Sequence, residues 1–203
     1  GFSDFIGVFV HAQNPCFIVD TGPASTTDAL IEALAELSAT RLDFILLSHI
    51  HIDHAGAAGD LVHRLGKTPV ACHSSGIRHM ADPEKLWAGS LATLGDTARA
   101  YGPIRPTPAE CLTPAENFSE GGILALPTPG HSAHHISFAF GGALFAGVAA
   151  FVALRGPSLL GTALDASRDE KMRNLAILAV AVVILGALPF LIRKQPDSEA
   201  THA

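Results

Sequence analysis

An α/β fold is predicted by three features of the chain. The run Leu42-Asp43-Phe44-Ile45-Leu46-Leu47 is short and apolar and reads as a buried strand. From Thr27 to Thr40 the leucines recur at helical spacing. Further short apolar stretches alternate with these, divided by Gly and Pro. At 203 residues the chain is long enough for one domain with a proper core.

Taken in order, residues 5–10 and 16–20 read as two strands around a turn at Asn14-Pro15. In the helix of 27–40, Leu30, Leu34 and Leu37 share a face, and Glu32 and Glu36 lie away from it. The strand 42–47 follows. Residues 56–65 form a short helix stopped by Gly66, the residue type that tolerates the backbone turn past a helix end. Val70 to His73 is a short strand. Asp82-Pro83 starts a helix, with a carboxylate to cap open N–H groups and a proline at the first position, and this helix is predicted to reach about Ala100. Residues 102–114 carry four prolines and read as a surface loop. A strand at 122–127 precedes a hairpin of Ile136–Phe140 and Ala143–Phe145, closed by Gly141-Gly142.

Beyond residue 155 the character changes. Residues 156–173 read as a linker, 174–193 as an apolar helix and 194–203 as a polar tail. The run Leu175 to Ile192 has no charged or hydrogen-bonding side chain, and its length is near the roughly 20 residues that span a bilayer. Two readings compete: a membrane helix, or a buried helix or strand (the latter at Val180 to Leu185) that completes the domain. Pro189 and the lack of any polar stripe favour the membrane. Arg168, Lys171 and Arg173 precede the run and Arg193 and Lys194 follow it. The small excess before it predicts a membrane-associated protein whose main domain is cytoplasmic; without the anchor the protein would be cytoplasmic.

The net charge of −6, with scattered basic residues, argues against a nucleic-acid partner. Cys16, Cys72 and Cys111 are far apart, fit a reducing compartment and suggest no disulfide framework. The chain opens Gly1-Phe2-Ser3, without methionine or the basic stretch of a secretory signal, and reads as a processed chain or a fragment.

Chemistry concentrates in Ser48-His49-Ile50-His51-Ile52-Asp53-His54-Ala55-Gly56, directly after the predicted strand 42–47. Ligands at a strand end sit on a rigid mount, facing the crevice where open α/β sheets keep their sites. Three imidazoles and a carboxylate in six positions form a donor set for a zinc-like divalent ion.

This stretch resembles the His-x-His-x-Asp-His signature of the metallo-β-lactamase superfamily. Phe17 to Gly22 resembles the family's early strand ending in Asp-x-Gly. Thr128-Pro129-Gly130-His131-Ser132 resembles its Thr-Pro-Gly-His-Ser loop. Leu144-Phe145-Ala146-Gly147 resembles the strand that normally reads Phe-x-Gly-Asp. The resemblance covers residues 1–155. It implies the four-layer αβ/βα sandwich, here with an incomplete C-terminal half. It also implies a first Zn2+ held by His49, His51 and His131, with an open position for water. Asp53 and His54 correspond to ligands of a second ion. The bridging carboxylate of that second site falls on Val148, and the family's late histidine has no counterpart before His202. One zinc, or another divalent metal, is therefore expected, with Asp53 free to act as a base.

Asp20 reads either as a carboxylate orienting a ligand histidine or as a turn residue. His134 and His135 read as strand-start or supporting residues rather than ligands. His73 and His79 read as mouth or surface residues, and Tyr101 as packing or a substrate contact. Neither a Gly-x-Ser-x-Gly elbow nor a phosphate loop is present. The resemblance thus implies a hydrolase that uses a zinc-bound hydroxide on a small ester, thioester or lactone. The alternatives are an impaired binding or scaffold module tethered to a membrane, or an altered reading frame after Val148.

Overall fold

A computed structural model describes residues 7–116, 118–146 and 149–153. Five strands form a first sheet: β1 (Phe9–His11), β2 (Phe17–Val19), β3 (Phe44–Leu46), β4 (Val70–Cys72) and β5 (Leu112–Pro114), in that order. β1 pairs antiparallel with β2, and the remaining pairs are parallel. Parallel neighbours need crossovers, which are supplied by the helices α1 (Thr27–Glu36), α2 (Ile52–Ala55), α3 (Ala58–Leu65), α4 (Ser74–Ala81), α5 (Glu84–Leu94) and α6 (Asp96–Tyr101). A second sheet is an antiparallel meander of β6 (Leu124–Pro127), β7 (Ile136–Phe140), β8 (Ala143–Ala146) and β9 (Ala149–Ala153).

Strand alternation divides the core into two layers. Ile18, Ile45, Val70 and Cys72 point to the helices, where they meet Leu30 and Leu34 of α1, Leu61 and Val62 of α3, and Met80 of α4. Phe17, Val19, Leu46 and Ala71 point the other way, onto Ile123, Ile136 and Phe138 beside or within the second sheet. Phe17 joins the sheets, with edge-on contacts to Phe140 at 5.3 Å and to Phe145 at 6.0 Å. This gives helices, sheet and facing sheet, the mixed α/β arrangement expected. The stretch after residue 153, including the apolar run, lies outside the described residues. No helix among the described residues is long and apolar enough to cross a membrane.

Several elements depart from the sequence expectation. Helix α1 stops at Glu36 because Ser38 takes φ 58, so Leu37 is exposed rather than on the buried face. The helix expected over 82–100 is two helices, divided at Gly95 with φ 55. The proline loop 102–114 contains β5, whose Leu112 and Thr113 pair with Val70 and Ala71. α4 is an additional helix, begun by His73, which accepts the Ser75 N–H at 3.2 Å. The cysteines are unpaired, as expected.

Gly56 allows the histidine loop to press against the loop after β2. A Cβ there would run into the Ile52 carbonyl and lie 2.8 Å from Ala24 N and 3.0 Å from Pro23 Cα, all backbone atoms. Gly56→Ala is expected to destabilise the metal-free protein by about 2 kcal/mol, in the range of overpacked interiors, as read from urea unfolding.

Candidate metal centre

β3 ends at Leu46 and leads to Ser48 and His49 at the carboxyl edge of the parallel strands, both fully buried. His51 is exposed and stands at the start of α2, whose single turn carries Asp53 and His54. His131 comes from the separate loop between β6 and β7 and is also exposed. The structure brings these loops together: one ring nitrogen from each of His49, His51 and His131 lies within 4.8 Å of the others. Ring centres are 4.6 Å apart for His49 and His51, 5.1 Å for His49 and His131, and 5.0 Å for His51 and His131.

Hydrogen bonding decides which nitrogen of His49 is available. The Asp20 carboxylate accepts the Ser48 backbone N–H at 2.8 Å and the Ser48 hydroxyl at 2.9 Å. With its one proton committed to Asp20, Ser48 Oγ accepts from His49 Nδ1 at 2.9 Å. The lone pair of His49 is then on Nε2, a buried atom with no hydrogen-bond partner. Such an orphan costs roughly 1–3 kcal/mol unless something binds it. Burial, reinforced by the rings of His54, His51, His135 and His131, keeps His49 well below the ordinary imidazole range. Burial and His131 also lower His51, against the opposing charge of Asp53. Three converging imidazoles, one with an orphaned lone pair, fit a zinc-like ion.

Asp20 also takes His54. Its Oδ2 lies 2.9 Å from His54 Nδ1, while His54 Nε2 faces Asp53 Oδ2 at 3.5 Å. Burial disfavours the charged His54 ring, but the bond to Asp20 and the charges of Asp20 and Asp53 outweigh it and raise its pKa. Asp53 and His54 therefore pair with each other beside the triad and stand outside its group of converging donors. Val148 and His202 lie outside the described residues.

The remaining candidates line the same region. His135 is buried, bonds Thr128 Oγ1 through Nδ1 at 2.8 Å, and is pushed down to about 4 by burial, against the charge of Asp20. His134 is half-buried and its ring lies 6.2 Å from that of His51. His73 lies 6.3 Å from His134, and His79 contacts Arg78 at 3.2 Å. Tyr101, half-buried at the end of α6, packs near Ile52, and burial and then Asp53 raise its pKa. Sequence reasoning missed Ser48, the link between Asp20 and His49. Its only signal was its position directly before His-x-His.

The buried rings give the metal-free protein a distinct acid response. Groups whose folded pKa is depressed leave the unfolded chain holding more protons below its ordinary value of about 6.5. Stability therefore falls as pH drops from about 6.5 to about 4, the latter set by His135. His54, whose pKa is raised, gains its stabilisation as pH falls toward about 6.5 from above and holds it nearly constant through this window. In EDTA, unfolding free energy measured across this window should decline with falling pH, and His135→Gln should flatten the decline.

Comparison with known proteins extends beyond the site. Residues 6–186 match the family model described as the metallo-beta-lactamase superfamily. A hydroxyacylglutathione hydrolase of Aeromonas hydrophila is 29% identical over 212 aligned positions, covering 98% of this chain and 69% of that protein. Another, from Acidiphilium cryptum, is 32% identical over 140 positions, covering 65% of this chain and 46% of its own length. The chain spans about half the length of most curated relatives it matches. An archaeal metallo-beta-lactamase superfamily protein from Sulfolobus tokodaii superposes with a TM-score of 0.53 at 25% identity, over 66% of this chain and 54% of that one. A metallo-beta-lactamase of Cronobacter sakazakii shares the fold alone, with a TM-score of 0.51 at 19% identity over 68% of this chain and 53% of that one. With the model matched along most of its length, the chain belongs to the metallo-β-lactamase superfamily.

Proposed function

We propose that the protein is a metal-dependent hydrolase with one ion at His49, His51 and His131, acting on small ester-type substrates and on thioesters first. The observation that carries the reading is the convergence of three ring nitrogens within 4.8 Å, including the partnerless His49 Nε2. Similarity to hydroxyacylglutathione hydrolases supports a thioester over other acyl substrates. A zinc ion bound there supplies a Lewis acid that polarises the carbonyl and acidifies water. Asp20, through Ser48, holds His49 in the tautomer that offers Nε2. To Asp53, about one-quarter exposed, this reading assigns the acceptance and return of a proton. The purified full chain should carry about one zinc and hydrolyse an acyl-glutathione thioester, and His51→Ala should remove both properties. Metal-free folding with no turnover on thioester and ester panels would defeat the reading.

A second reading is an impaired family member used for binding, favoured by Val148 at the position of the bridging carboxylate. Under it, Val148→Asp should raise both metal content and turnover above the natural chain, whose own turnover would be nil. For residues 174–193, the lack of any charged side chain from Leu175 to Ile192 supports a membrane anchor on a cytoplasmic domain. The family match reaching residue 186 supports packing within the domain instead. Extraction of membranes with alkaline carbonate separates the two: an anchored chain stays in the pellet and a packed one is released.

A further inference from the structure

The triad draws His49 and His51 from one loop and His131 from another, so its geometry depends on what fixes the spacing between them. In addition to the direct contact of His131 Nε2 with His51 Nδ1 at 3.2 Å, two cross-loop hydrogen bonds outside the triad do so, one on each side of His49. At the backbone, Ile136 N–H donates to Ser48 O at 2.8 Å. On the other side, Ile50 N–H donates to His134 Nε2 at 3.4 Å. His134 is anchored at its other end: Nδ1 lies 2.8 Å from Ser132 Oγ, and the His134 backbone N–H donates to the same oxygen at 3.3 Å. Ser132 is buried and directly follows His131. Because Nε2 accepts, the neutral ring carries its proton on Nδ1 and donates it to Ser132. Ile50 lies between His49 and His51, so one imidazole spans from the residue beside His131 to the residue between the other two.

We propose that His134 is a positioning residue that sets the distance between His131 and the His49–His51 pair, and so the affinity and geometry of the metal site. The proposal rests on reading those three histidines as ligands. The ring makes no claim on the metal: both nitrogens are engaged elsewhere, and it lies outside the group of converging donors.

The test uses the full chain, zinc competition titrations and the absorption spectrum of the cobalt-substituted protein. His134→Phe keeps a ring of similar shape and removes both nitrogens. His134→Gln returns an acceptor near the Nε2 position. The Phe variant should lose roughly 10–100-fold in zinc affinity, the cost typical of removing a group that orients ligands, and should show an altered cobalt spectrum. The Gln variant should recover most of both, and metal-free stability should be equal in the two. His63→Ala, whose ring bonds within α3, should match the natural chain. If the Phe variant does not fold, Ser132→Ala, which removes the anchor of His134, should lower affinity and shift the spectrum in the same direction. Natural affinity and spectrum in His134→Phe, or in Ser132→Ala where that variant decides, would overturn the proposal. Failure of the natural chain to bind zinc would instead overturn the ligand assignment.

Discussion

The site depends on one buried carboxylate. Asp20 takes the Ser48 N–H, the Ser48 hydroxyl and His54 Nδ1, all within 2.9 Å, and so ties the end of β2 to the end of β3 and to α2. To reach them its backbone takes φ 61, uncommon outside glycine. Strain of that kind costs roughly 1–3 kcal/mol. Hydrogen bonds to a charged group contribute roughly 1.5–3 kcal/mol each, so three of them outweigh it. The backbone adds support: Asp20 N–H donates to Leu46 O at 2.8 Å and Thr21 N–H to His54 O at 2.7 Å. An ordinary turn residue would need neither the strain nor the burial. The strained conformation is explained by what the side chain holds.

That carboxylate can work only because β3 is fixed on both faces. Ile45 is locked among the helices and Leu46 between the sheets, with no exposed surface at either. A one-residue slip of β3 would exchange those two environments and turn Ser48 and His49 away from Asp20. The second sheet has an equal part, because Phe17 against Phe140 and Ile136 against Ser48 set where the loop bearing His131 can stand. The candidate metal centre is in this sense a product of sandwich packing as much as of the histidine motif.

The sequence made the strand before the histidines legible, because an unbroken apolar run has few other uses. The candidate ligand types stood out because imidazoles at that density are scarce in ordinary surfaces. The ends of elements were less so. Ser38 and Gly95 interrupt helices through local backbone conformations that leucine spacing does not encode. β5 hides among prolines because an edge strand with Pro114 at its end can spare a ladder donor. The only signal of Ser48 is its place before His-x-His, and His134 was legible as a supporting residue but not for what it supports. Ser48 matters only because Asp20, 28 residues away in sequence, folds back on it. His134 lies 84 residues from Ile50. Such roles come into being with the tertiary contact.

Electrostatics bears on how many ions the site favours. A carboxylate and an imidazole bind a cation best when neither has another partner. His54 is held at Nδ1 by Asp20 and faces Asp53 at Nε2, and the two carboxylates together raise its affinity for a proton. A second cation would have to displace that proton and separate the pair. At the position where the resemblance leads one to expect a bridging carboxylate to offset that cost, the sequence has Val148, which offers no donor atom. The first site faces the opposite balance: His49 is disfavoured as a cation by burial, and its Nε2 has nothing to lose on binding. Under the proposed reading, the same cluster of rings would favour an ion at the triad and resist one at the Asp53–His54 pair.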